Sequence, residues 1–252
     1  MQPIYARLRE QARLIVSSFP SPDFYIDHSQ AYEYSSSLFK TDPEIRKLCR
    51  FVSENLDDDF GHGLQHAIKV TIDAGALMNI EGQAAGYSES MLERRTQIVQ
   101  SAGLLHDAKR KKRDHSKHGA DFARSVLENY SLSYDEIEDV CRAIQNHEAF
   151  KRNVTIDTTE GVLISDCLYD ADKFRWGPDN FTDTLWDMVS FLNPPLSKFM
   201  ARYPQGMESL EKIKTTFRTE TGKQYGPQFL DLGLAIGQKI HDVILSDFAE
   251  YL

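Results

Sequence analysis

The sequence predicts an all-α fold, and three observations carry that expectation. Apolar residues recur at helical spacing, as in Ile4, Leu8, Ala12 and Ile15. Helix start signals recur too: Asp42-Pro43-Glu44 sets proline at the first helical position, and Ser88 and Ser133 or Asp135 precede apolar-periodic runs. No alternating apolar–polar pattern of useful length and no internal repeat is present.

Taken in order, a first amphipathic helix is predicted over residues 3–18 and is broken by Phe19-Pro20-Ser21-Pro22-Asp23. The helix opened by Pro43 carries Ile45, Leu48, Phe51, Val52 and Leu56, and the acidic run Asp57-Asp58-Asp59 reads as a solvated cap. The next helix begins around His62 and His66, runs to Met78, and gives way to a loop at Glu81-Gly82-Gln83. From Ser88 a long helix runs to His106–Asp107, followed at once by Lys109-Arg110-Lys111-Lys112-Arg113. His115 opens a helix with Phe122, Ala123, Val126 and Leu127 on its buried face. Ile137, Val140, Ile144 and then His147 follow helical spacing in the one after it. A helix of high apolar content spans about 158–174 and stops at Gly177-Pro178. Short helices are expected at 183–192, 197–203 and 208–219, and a terminal one at 229–251.

Composition excludes several classes. At 252 residues and 41% hydrophobic content, the chain can bury a proper core, and one domain over 1–252 is expected. A net charge of −9 argues against nucleic acid or an anionic membrane as a stable partner. Cys49, Cys141 and Cys167 show no CxxC spacing and read as reduced, packed thiols of a cytoplasmic protein. No stretch approaches the ~18 uninterrupted apolar residues of a membrane span.

The candidate chemistry lies in the histidines and aspartates. Neutral imidazole and carboxylate are good ligands for a divalent cation. His106–Asp107 ends an apolar helical run, but His241–Asp242 is a second such pair, so the neighbours must decide. His62 and His66 are four apart and share a helix face. His66 stands in His66-Ala67-Ile68-Lys69-Val70, the pair follows Ala102-Gly103-Leu104-Leu105, and Asp172 lies in Asp170-Ala171-Asp172-Lys173-Phe174. In order and context these pieces resemble the H…HD…D signature of the HD superfamily of metal-dependent phosphohydrolases, over roughly residues 58–176. The first motif is similar to the HDxxHxxRV-like string of small stand-alone members, with Gly63 where many carry Asp.

The resemblance implies a single helical HD domain with its motifs at about 58–176, and helices 1–56 and 178–252 packed on it. It implies His66, His106, Asp107 and Asp172 as metal ligands, and hydrolysis of a phosphate ester or nucleotide phosphate by a metal-activated water. Mn, Mg, Fe, Ni and Co all suit such a site. Some bimetallic members have a histidine before a Gly-Ala pair and another ending the next helix, which His115 and His147 match. The short charged connection Ala108–Asp114 is read as pointing His115 at substrate, which makes these two histidines acid–base groups beside one tight ion, with a second ion weak or substrate-induced. His62, Lys109, Arg110 and Lys173 are the candidate phosphate contacts, and His118 a supporting residue behind the ligands. The HHExxDGxGYP string of the HD-GYP phosphodiesterases and the HDxxED pattern of alarmone hydrolases are absent, so neither substrate is assigned. His28 is read as structural and His241 as a decoy.

Two other readings stand beside hydrolysis. Myo-inositol oxygenase and a phosphonate-cleaving oxygenase share this scaffold and hold two irons on four histidines and two aspartates, a set this chain can supply. A nucleotide-sensing module would use the fold without turnover. The helices outside 58–176 are expected to shape the pocket mouth or a homodimer contact.

Overall fold

In the computed structural model, residues 3–55 and 63–252 are described, and all their regular structure is helical. In chain order the helices are α1 (Pro3–Ser17), α2 (Asp23–Asp27), α3 (Ser29–Thr41), α4 (Pro43–Asn55), α5 (Leu64–Ala84), α6 (Glu89–Leu105), α7 (His115–Leu127), α8 (Tyr134–Gln145), α9 (Thr159–Phe174), α10 (Leu185–Leu192), α11 (Leu196–Ile213) and α12 (Glu220–Asp247). A π turn (Asn180–Thr184) leads into α10, and a 3-10 turn (Ala249–Tyr251) follows α12. No helix among the described residues is long and apolar enough to cross a membrane.

Helix α5 is the element the others are laid on, and its sequence explains why. Ala67, Ala74, Gly75 and Ala76 keep it slim, and Val70, Ile72, Leu77 and Met78 are buried around it together with Asp73 and Asn79. A helix apolar on all sides must be surrounded; α3, α6, α9 and α12 pack against it. The α5–α6 contact is tightest at Gly103, where a Cβ would lie 2.7 Å from Thr71 Oγ1 and 2.8 Å from Thr71 Cα. Only glycine allows these backbones to approach so closely. The same contact fixes the distance between the helices that carry His66 and His106.

The terminal helices belong to one continuous hydrophobic cluster that runs from Ile4 to Phe248. Arg9 on α1 bridges Asp183 at 3.0 Å and Asp187 at 2.7 Å. Asp170 on α9 accepts hydrogen bonds from the backbone amides of Arg218 and Thr219, at 2.9 and 2.8 Å, and from the Thr219 hydroxyl at 2.8 Å. It thereby satisfies amides just ahead of the longest helix, α12.

Beneath these helices lies a buried polar knot. The Arg175 guanidinium donates to Asp73, Asp179 and the Tyr25 hydroxyl, Tyr25 in turn donates to Asp73 at 3.0 Å, and Lys69 meets Asp179 at 3.0 Å. Burial pushes the Asp73 carboxyl up to about 6, against the pull of Arg175.

Several boundaries depart from the sequence expectation. Helices α2 and α3 were not predicted; α3 carries Ser35-Ser36-Ser37, poor helix formers whose cost is met by packing on α5. The loop expected at Glu81-Gly82-Gln83 is helical, since α5 ends only at Ala84 ahead of Gly86, which takes φ 78°. The breaks expected near Pro204 and at 220–228 are also helical, with Pro204 inside α11 and Pro227 inside α12. The acidic run 57–59 and His62 lie outside the described residues. Cys141 and Cys167 are buried free thiols, as expected, and Cys49 is half-buried.

Removing Arg175 leaves Asp73 buried without its countercharge. Arg175→Met is therefore expected to lower stability by about 3–5 kcal/mol in urea unfolding. Lys223→Met, which breaks an exposed pair with Glu220, should change it by less than about 1 kcal/mol.

Candidate metal centre

Five helix ends converge on one point. His66 sits in the first turn of α5, His106 and Asp107 follow the last turn of α6, and His115 opens α7. His147 lies two residues past α8, and Asp172 is in the last turn of α9. The connection between Asp107 and His115 is short, and it turns because Asp114 takes φ 55°, a left-handed conformation that aspartate tolerates better than most residues. That turn brings His115 back to Asp107.

The rings are oriented by their own helices. His106 Nδ1 lies 2.8 Å from the Gly103 carbonyl and His147 Nδ1 2.6 Å from that of Ile144. A carbonyl only accepts, so each Nδ1 carries the proton and each Nε2 presents a lone pair. These nitrogens point inward. His66 Nε2 is 3.3 Å from His106 Nε2 and 3.3 Å from Asp172 Oδ1. On the other side His115 Nε2 is 3.2 Å from His147 Nε2.

Asp107 stands between the two pairs. Its Oδ2 lies 3.5 Å from His106 and 4.0 Å from His66, while its Oδ1 lies 3.4 Å from His115 and 3.5 Å from His147. Two groups with metal-ligand spacing result, His66–His106–Asp107 and Asp107–His115–His147. Oδ1 is buried and has no hydrogen-bond partner among the described residues. A buried carboxylate oxygen facing imidazole lone pairs is the arrangement a cation relieves, so these residues fit a divalent metal.

The electrostatics are those of ligands ready to bind. Burial pushes His106 down to about 4, opposed by Asp107 and Asp172, so the ring is neutral at neutral pH. His115 is lowered too, mainly by burial. Burial alone would raise Asp107, but His106, His147 and Arg110 hold it well below the usual carboxylate range. For Asp172, burial is likewise outweighed by Lys173, His66 and His106.

The family model of the HD domain matches residues 63–175. The match covers a little under half of the chain and supports the resemblance of this segment to the HD superfamily. No curated protein and no solved structure matches the chain. The matched segment holds every converging residue above, including His106–Asp107, and excludes His241–Asp242. His241 lies on α12 against the Tyr203 ring, outside the HD domain.

The remaining candidates separate by where their side chains go. Arg110 enters the centre: its guanidinium lies 2.9 Å from His115 Nε2 and 3.6 Å from Asp107 Oδ1. Lys109 turns away, with Nζ 3.8 Å over the Phe122 ring, and so is not placed at the centre. Lys173, read from the sequence as a phosphate contact, is directed inward. It is 4% exposed, and its ammonium donates to Asp172 Oδ2 and to the His147 carbonyl at 3.0 Å. His118 is exposed on α7 and supports no ligand. Glu148 carried no expectation, yet its Oε1 lies 3.9 Å from His115 Nδ1. Its place directly after His147 was the only signal available.

Protonation of these groups opposes the folded state. A ring held near 4 when folded and near 6.5 when unfolded binds fewer protons in the native protein between those values, so its contribution is lost as pH falls through that window. The depressed Asp107 and Asp172 act in the same direction at lower pH. Thermal unfolding in chelator should therefore show stability falling steadily from about pH 6.5 to about 4, with a smaller fall for His106→Gln.

Proposed function

We propose that the chain is a metal-dependent phosphohydrolase acting on a phosphate ester or nucleotide phosphate. The observation that carries this is Asp107, whose two oxygens each face a separate pair of imidazole nitrogens inside the segment that matches the HD domain. Divalent cations held there supply Lewis acidity toward phosphoryl oxygens and bring the pKa of water near neutrality. His66, His106, Asp107 and Asp172 hold the first ion; Asp107, His115 and His147 are the set for a second.

The chain's own residues do the rest. Gly103 and Ile144 carbonyls keep His106 and His147 in the tautomer that leaves Nε2 free to bind. Lys173 orients Asp172 and neutralises part of its charge, which leaves Arg110 as the guanidinium able to hold a non-bridging phosphate oxygen. Glu148 beside His115 Nδ1 favours the tautomer with the proton there. His115 and His147 therefore serve as ligands when the second ion is present and as proton carriers near substrate when it is not.

Arg110 also sets the two sites apart. Its guanidinium needs the same His115 Nε2 lone pair that a second cation would use, and like charges repel at that separation. The first ion is thus the tight one. Elemental analysis and titration calorimetry with Mn²⁺ should find one tight ion and one weaker in the wild type. Arg110→Ala should tighten the weaker site by about tenfold or more, while lowering hydrolysis of phosphate esters. Unchanged affinity at the weaker site would remove Arg110 from this role.

Asp107→Ala should lose both ions and all hydrolysis while keeping the helical circular dichroism, and His241→Ala should keep all three properties. Retention of stoichiometric metal in Asp107→Ala would sink the proposed centre. The assembled set of four histidines and two aspartates also suits a di-iron oxygenase. A mixed-valent iron signal by electron paramagnetic resonance, with oxygen uptake, would favour that reading over hydrolysis.

A further inference from the structure

A second concavity lies between the π turn, α10 and α11, and contains no residue of the metal centre. It encloses about 210 Å³, with walls formed chiefly by Trp176, Phe181, Phe199 and Met207. The polar groups around it are largely occupied elsewhere. Tyr203 donates to the Gly237 carbonyl at 2.8 Å, and the neighbouring Trp186 donates to that of Phe181 at 2.6 Å. Arg202 differs: it lines the cleft, is exposed, and makes no hydrogen bond or ion pair with any described residue. Gly206, one turn further along α11, has nothing within 4 Å of an ideal Cβ, which keeps that side of the cleft open. A π turn forms one wall, a backbone irregularity found frequently at functional sites.

We propose that this cleft binds an amphipathic monocarboxylate, with its apolar tail among the aromatic walls and its carboxylate on Arg202. Size sets the tail: a dry cavity of ~150 Å³ holds one benzene ring, so this one suits about eight to ten heavy atoms. Charge sets the head, because a guanidinium pairs with a carboxylate through two parallel hydrogen bonds. A phosphate would call for more donors than one side chain offers, and a second carboxylate would be buried unpaired against apolar walls. The inference does not depend on the hydrolase reading.

The chain has two tryptophans, and both report on this place: Trp176 lines the cleft, and the Trp186 ring lies 6.2 Å from that of Phe199. Titrating the full chain with decanoate, kept monomeric, should give a saturable change in tryptophan emission. Arg202→Gln should weaken that binding by about tenfold or more with unfolding unchanged, since the side chain is exposed. Gly206→Phe, which adds a ring where nothing stands in the way, should weaken it as well. Equal affinity for 1-decanol and decanoate would overturn the carboxylate, and so would an Arg202→Gln protein that binds normally. A change that does not saturate would overturn the site itself.

Discussion

Four imidazoles and two carboxylates are gathered against one another in a buried space. This constraint organises the rest of the molecule. Imidazole nitrogens 3.2–3.3 Å apart and a buried Asp107 oxygen with no hydrogen-bond partner among the described residues favour positive charge brought among them. The chain supplies some of that charge itself, through Lys173 on Asp172 and Arg110 on His115 and Asp107. The N-termini of α5 and α7, which carry His66 and His115, add partial positive charge.

Holding such a cluster requires a stiff frame, and the frame is built in two shells. The inner one is backbone: Gly103 pins α5 to α6, and carbonyls one turn back lock His106 and His147. The outer one is the knot around Arg175, three residues beyond Asp172, which ties α9 to α2, α5 and the π turn. Helices α5, α6 and α9 are thus tied to one another by contacts that do not include a ligand.

Much of this was legible in the sequence, and the exceptions have physical causes. Helices with a clear apolar stripe and a capping residue, such as α4, α6 and α8, could be placed closely. Helix α3 could not, because its Ser35 faces α5 in a contact no local pattern announces. The bounds expected at 203–208 and 219–229 missed for a related reason, since α11 and α12 run on through Pro204 and Pro227. At the site, motif order singled out the residues that converge, but not what the cations beside them do. Lys109, Arg110 and Lys173 look alike in sequence; one lies over a ring, one enters the centre, and one is buried against Asp172. Side-chain direction, not residue type, separates them.

Asp170 adds a temporal dimension. Arg218, the nearer of the two residues whose amides it receives, lies 48 positions further along the chain. During synthesis every ligand of the centre has therefore been made well before those amides exist. A nascent chain at that point holds its full donor set, while the Asp170 carboxylate on α9 still lacks the amides it receives in the finished fold. Completion of the last third of the polypeptide closes that gap, so assembly of the centre and maturation of its support are separate events in the life of the molecule.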